Sequence, residues 1–210
     1  MKKYEVLNTI TNKKIVSVIR TDSKNVKEIV DHIIMGGITT IEITLTMDNS
    51  LELIKTLSLE YTKEDVLIGA GTVLDETSAR LAINNGAKFI VSPVFNSKVL
   101  ELCNLYGIAY IPGISNPEGI YEALTNGVEV MKLFPASMFT PSIIKEFKGP
   151  FPQADFMISG RVNQENINTW LDNGAKIVCI GSALTNAEKE GYEAITKISK
   201  EFVKIVFENQ

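Results

Sequence analysis

The chain has 210 residues, of which 45% are apolar and 22% charged, and its formal net charge is -4 at pH 7. That length can hold one large α/β domain or two small ones, and the composition excludes a disordered or fibrous chain. With no long run of one charge sign, nothing supports a nucleic-acid or anionic-membrane partner, although a small local anion site stays open.

The opening segment "KKYEVLNTIT" (2–11) lacks the apolar core of a signal peptide and reads as a helix. No apolar run in the chain is long enough to span a bilayer, so a soluble cytoplasmic protein is expected. Short β-branched runs then recur: "KIVSVIR" (14–20), "TTIEITL" (39–45), "VLIGAGTV" (66–73), "FIVSPV" (89–94), "IAYIPG" (108–113), "VEVMKLF" (128–134), "ADFMISG" (154–160) and "IVCIGSA" (177–183). A stretch of helical period follows each, as at 23–37, 75–87, 96–107, 116–127 and 163–175. Several of these stretches open on Ser, Asp or Asn and end in Gly, which are N-cap and C-terminal signals. Strand–helix units with right-handed crossovers give a closed barrel or an open doubly wound sheet. The short repeat favours the barrel, a (β/α)8 TIM barrel forming a single domain over 1–210, with the first helix lying across its N-terminal end. No linker or low-complexity segment interrupts it.

In such a barrel the chemistry sits at the C-terminal ends of the strands. The sixth predicted strand places Val130, Lys132 and Phe134 on one face. Outward faces pack under helices, so the lysine is better placed inward, near the mouth. It is either neutralised by a buried carboxylate or acts as a nucleophilic amine that attacks a carbonyl and forms a Schiff base. The second strand carries Glu42 on one face with Thr40, Thr44 and Thr46. A mid-strand carboxylate is costly unless paired, which makes Glu42 a partner for Lys132 across the lumen, as a structural ion pair or as a proton shuttle.

The third strand ends in "GAGTV", where Gly69 and Gly71 permit close backbone approach and Thr72 supplies a hydroxyl and an amide. A plain turn explains that stretch equally well. Pro93 and Pro112 lack a donor and suit strand ends. The last two strands end in "ISGRV" and "CIGSA", so Gly160, Gly181 and Ser182 suit a phosphate cradle of backbone amides or a tight turn. Arg161 beside them suits a bidentate oxyanion contact or a solvated surface. The single histidine, His32, lies in a probable helix and reads as a helix-surface residue. Cys103 and Cys179 are far apart and read as small buried hydrophobes. No Cys or His pairs occur at zinc-ligand spacing.

Taken in order, "IVSVIR", "GGITTIEITL", "IGAGTV", "FIVSP", "IPGIS", "MKLFPA" and "CIGSAL" make the chain resemble the KDPG/KHG aldolases (2-keto-3-deoxy-6-phosphogluconate and 4-hydroxy-2-oxoglutarate aldolases) over nearly its whole length. The resemblance implies a class I aldolase on a (β/α)8 barrel, without metal or other cofactor, acting on a small keto acid and assembled as a homotrimer. It implies that Lys132 is the Schiff-base lysine, Glu42 the general acid/base and Thr72 a holder of the pyruvate carboxylate. Pro93 and Phe134 would line the pocket, and Gly160 and Ser182 would lie at the phosphate end. Two positions depart from the family pattern. Thr46 stands where many members carry an arginine for the substrate carboxylate, and Arg161 replaces the second glycine of a Gly-Gly pair. Arg20, at the end of the first strand, is placed to take over the carboxylate contact, and the related phosphogalactonate aldolases carry an arginine in a similar position. Two rival readings are an isomerase or decarboxylase of a phosphorylated sugar and a non-catalytic sugar-acid-binding barrel.

Overall fold

Runs rich in Ile and Val, each leading into a capped amphipathic stretch, fold into alternating strands and helices. The structure, a computed structural model, describes residues 2–22, 24–62 and 66–208. It runs α1 (Lys3–Lys13), β1 (Ile15–Ile19), α2 (Val26–Met35), β2 (Thr40–Thr44), α3 (Ser50–Glu60), β3 (Leu67–Gly71), α4 (Glu76–Asn84), β4 (Phe89–Val91) and α5 (Ser97–Tyr106). The second half runs β5 (Ala109–Ile111), β6 (Gly113–Ile114), α6 (Pro117–Thr125), β7 (Val130–Leu133), α7 (Ile143–Lys148), β8 (Asp155–Ile158), α8 (Ile167–Asp172), β9 (Ile177–Ile180), α9 (Ser182–Thr185) and α10 (Tyr192–Glu208). Ser23, the expected cap of the second helical stretch, lies outside the described residues.

The pairing order is β5–β4–β3–β2–β1–β9–β8–β7–β6, and every paired set is parallel. Its two ends, β5 and β6, are consecutive in the chain and separated only by Pro112. The order therefore returns on itself as a (β/α)8 barrel. The sequence predicts one strand over 108–113; the structure divides it at Pro112. Proline has no N–H to give a ladder, so β5 pairs with β4, and β6 pairs with β7. The Pro112 carbonyl still accepts from the Lys132 amide at 2.8 Å. The seam is tight, since a Cβ on Gly113 would strike the Pro93 carbonyl.

Alternation along each strand divides the core in two. Outward residues, among them Ile19, Ile41, Ile43, Met131 and Ile180, pack under the helices. Inward residues, among them Val16, Leu67, Phe89, Val130, Met157 and Ile177, fill the lumen. Val6, Leu7 and Ile10 of α1 join the lumen cluster, which places that helix against the interior as expected. Each such buried aliphatic side chain contributes roughly 1.5–3 kcal/mol as an upper figure.

His32 departs from its expected surface position. It does lie in α2, but its side chain is only 12% exposed. Its Nδ1 sits 2.9 Å from Thr196 Oγ1, and its ring stacks on Tyr192 with centroids 5.5 Å apart. Both partners belong to α10, so the cover comes from the far end of the chain. Both cysteines are buried free thiols, as expected. Among the described residues no helix is long and apolar enough to cross a membrane.

The caps follow their sequence signals. Asp75, Asn96 and Asn116 accept from the first-turn amides of α4, α5 and α6, and Gly107 closes α5 with φ of 66°. Asp75 takes both the Ser78 amide and the Ser78 hydroxyl at 2.7 Å. These bonds favour the charged carboxylate and hold its pKa below the ordinary 3.8, the amide contact contributing most. Because the folded pKa is depressed, the cap's contribution is complete above 3.8 and is lost as pH falls through the lower folded value. Asp75→Ala is expected to lower stability at neutral pH by about 1 kcal/mol. In denaturant titrations the gap between variant and parent should close in acid.

Candidate functional site at the barrel mouth

The inward face of β2 carries Thr40, Glu42 and Thr44, all fully buried. The inward face of β7 carries Val130 and Lys132, with Lys132 5% exposed. Lys132 Nζ lies 3.6 Å from Glu42 Oε1, so the two strands meet across the lumen as expected. At that separation the contact is an ion pair longer than a hydrogen bond. Among the described residues neither Glu42 oxygen has a hydrogen-bond partner. Lys132 Nζ also lies 5.3 Å from the centroid of the half-buried Phe134 ring, a cation–π distance. A buried pair of this kind costs desolvation and is weak evidence for stability. It does place an amine and a carboxylate within one small molecule's reach of each other.

Around the pair the strands end in small or polar residues. Arg20, exposed just beyond β1, donates from Nη2 to Thr72 Oγ1 at 2.9 Å. Thr72 follows β3 with φ of 58°, a left-handed conformation rare for a β-branched residue. Backbone strain of this kind costs about 1–3 kcal/mol and concentrates at functional sites. Thr46, exposed beyond β2, donates to Thr44 Oγ1 at 3.3 Å, and Thr44 donates to the Ile19 carbonyl at 2.9 Å. The hydroxyl chain ties the rim of β2 to the end of β1.

Pro93 is half-buried beyond β4, with its carbonyl packed on Gly113. After β8, Gly160 and Arg161 take φ of 122° and 55° in succession. The Arg161 side chain is exposed, and its carbonyl accepts from Asn166 Nδ2 at 3.0 Å. Gly181 and Ser182 head the short helix α9 beyond β9. Arg20, Thr46, Thr72, Pro93, Phe134, Gly160, Arg161, Gly181 and Ser182 thus lie just beyond C-terminal strand ends, while Glu42 and Lys132 lie within β2 and β7. Lys132 with Glu42, and Arg20 with Thr72, are in direct contact.

Ser159, Cys179 and Thr44 also border the site and were not singled out from sequence as site residues. Ser159 is buried at the end of β8 and Cys179 lies in the lumen on β9. Burial pushes the Cys179 thiol up to about 12, and the nearby Glu42 charge adds to this; Lys132 and a Ser159 hydrogen bond pull the other way. The thiol therefore stays protonated and neutral at physiological pH. The signal for these residues was their parity, two positions from another lumen residue on the same strand. Small residues are too common on strands to stand out by that alone. Among the described residues no group of three or more His, Cys, Asp or Glu could hold a metal ion.

The comparisons with known proteins agree with this geometry. The family model "KDPG and KHG aldolase" matches residues 6–198. The 2-dehydro-3-deoxy-phosphogluconate aldolase of Haemophilus influenzae is 29% identical over 207 residues, covering 96% of this chain and 97% of that protein. The 2-dehydro-3-deoxy-6-phosphogalactonate aldolase of Escherichia coli is 34% identical over 143 residues, covering 67% of this chain and 69% of the relative. Among solved structures, the KDPG aldolase of Legionella pneumophila, with pyruvate captured as a covalent carbinolamine intermediate, superposes with a TM-score of 0.83. That match has 25% identity and covers 91% of this chain and 95% of the other. With the barrel, the mouth and a family match spanning most of its length, the chain belongs to the KDPG and KHG aldolase family.

Proposed function

We propose that this protein is a class I aldolase that cleaves a 2-keto-3-deoxy sugar acid to pyruvate and an aldehyde, with Lys132 as nucleophile and Glu42 as proton shuttle. The observation that carries the reading is the 3.6 Å approach of a buried amine to a buried carboxylate that has no hydrogen-bond partner among the described residues. Lys132 passes a proton to Glu42, directly or through a water, and its free amine attacks the C2 carbonyl. Glu42 returns that proton to the carbinolamine hydroxyl, which leaves as water to give a protonated imine. The imine is the electron sink. Glu42, directly or through a water, takes the C4 hydroxyl proton, the C3–C4 bond breaks, and its electron pair passes into the imine to leave an enamine. C4 departs as the aldehyde. Glu42 returns its proton to C3, and water hydrolyses the protonated imine to release pyruvate and restore the Lys132 ammonium. Covalent catalysis divides one hard step into easier ones.

Arg20 and Thr72 hold the keto-acid carboxylate in this proposal, with Thr46 standing aside as a neutral hydroxyl. Pro93 and Phe134 line the wall. Gly160, Arg161, Gly181 and Ser182 receive the distal end, a phosphate for 2-dehydro-3-deoxy-6-phosphogluconate or a carboxylate for 4-hydroxy-2-oxoglutarate. The Arg20–Thr72 contact favours a second reading of the substrate as 2-dehydro-3-deoxy-6-phosphogalactonate, the compound named for the Escherichia coli relative. Assembly as a homotrimer belongs to the same proposal and is read by light scattering.

Pyruvate with borohydride is expected to leave a stable mass increment on Lys132, mapped by peptide mass spectrometry. An active Lys132→Ala variant, or no trapped adduct in the parent, would sink the mechanism. Glu42→Gln is expected to fold and to lose about 10²–10⁴-fold in kcat; near-parental turnover would make Glu42 a structural partner only. A coupled pyruvate-release assay over phosphogluconate-, phosphogalactonate- and oxoglutarate-derived substrates identifies the aldehyde. In that panel Arg161→Gly is expected to lower kcat/KM about 10–100-fold for the preferred anionic substrate, the value of one charged hydrogen bond. An unchanged preference would remove Arg161 from substrate selection.

A further inference from the structure

We propose that Gly71 is a positioning residue, whose missing side chain forms the slot that aims Glu42 at Lys132. The inference rests on the reading of Glu42 as the proton shuttle. Gly69 and Gly71 both lie within β3, where glycine weakens a strand and normally marks a bulge or a close approach. Neither has a φ in the left-handed region, so backbone conformation does not demand glycine at either place. Space does. A Cβ on Gly69 would lie 2.5 Å from atoms of the fully buried Phe89 ring, which fills the lumen. A Cβ on Gly71 would collide with Glu42 Oε1 and lie 2.5 Å from Cδ and 2.6 Å from Cγ.

The register explains the contact. β2 and β3 pair with Glu42 opposite Gly69 and Thr44 opposite Gly71. The Glu42 side chain extends along the lumen toward the mouth and passes over Gly71. Its end is held by no hydrogen bond among the described residues. What sets the carboxylate's position is therefore packing against the β3 backbone on one side and the Lys132 ammonium on the other. Both carboxylate oxygens keep their lone pairs for substrate, which suits a group that must take and return a proton. A carboxylate fixed by hydrogen bonds would be aimed as well but would be a weaker base. At an ordinary φ, Gly→Ala usually stabilises a protein through the unfolded state; here the close approach opposes that gain.

The test is a cycle of Gly71→Ala, Glu42→Gln and the double variant, measured on the substrate that the parent cleaves. Gly71→Ala is expected to keep the borohydride-trapped pyruvate adduct on Lys132 and to lose about 10²-fold or more in kcat. The double variant is expected to match Glu42→Gln within about threefold, because two residues acting through one group are not additive. Near-parental kcat for Gly71→Ala beside an inactive Glu42→Gln overturns the slot, as does a double variant whose losses multiply. If Glu42→Gln itself keeps turnover, the proton-shuttle reading fails, and the slot falls with it. Should Gly71→Ala fail to fold, Glu42→Asp/Gly71→Ala trades a methylene for the added methyl and is expected to restore the folded protein and its adduct. No recovery on that exchange overturns the proposal.

Discussion

An ammonium and a carboxylate buried within 3.6 Å of each other in a barrel lumen form the constraint around which this structure is arranged. Taking both charges out of water costs several kcal/mol per ion before their attraction offsets it. Such a pair is a poor way to stabilise a core that is otherwise aliphatic. The arrangement makes sense if the two groups must act on a third that enters between them. The lumen below them is sealed by apolar side chains, including Val6, Leu7 and Ile10 of the first helix. The Cys179 thiol beside the pair remains protonated and adds no competing charge.

The mouth is assembled from strand ends whose geometry is less relaxed than the barrel wall. Thr72 and Arg161 adopt left-handed conformations that non-glycine residues avoid. The other two such residues among those described are Lys14, at the C-cap of α1, where that conformation is ordinary, and Asn49 before α3, a residue type that tolerates it. Strain at the substrate end of the barrel is offset by the packed layers beneath it. The cationic groups at the rim, Arg20 and Arg161, lie on the side formed by β1, β9 and β8, which are neighbours in the sheet. They form one continuous arc of the rim. In the proposed reading, that arc sets which molecule is held, and the floor sets what is done to it.

Much of this was legible in the sequence for a definite reason. Lys132 and Glu42 are charged residues inside the otherwise uncharged stretches "VMKL" and "TIEIT", on the faces that alternation assigns to the lumen, so period-two alternation exposed them. The caps at Asp75, Asn96 and Asn116 were local signals and formed as such. What was not legible depends on contacts between distant segments. The burial of His32 comes from α10, 164 residues away along the chain. The need for glycine at 71 appears only when the register sets Thr44 beside it and carries the Glu42 side chain over it. The division of the fifth strand at Pro112 follows from barrel closure, where one stave changes partners. Proline marked a strand end in the sequence, but the strand that begins again beyond it was set by the neighbour it meets.

The central claim is that Lys132 and Glu42 act as one unit, the first holding the keto acid and the second moving its proton. Exchange of the pyruvate methyl protons with D2O, followed by NMR, requires both steps and no aldehyde. The account predicts rapid exchange with the parent protein and none with Lys132→Ala. With Glu42→Gln it predicts exchange slowed by about 10² or more, while the imine with pyruvate still forms. Exchange at the parental rate without Glu42 would contradict it.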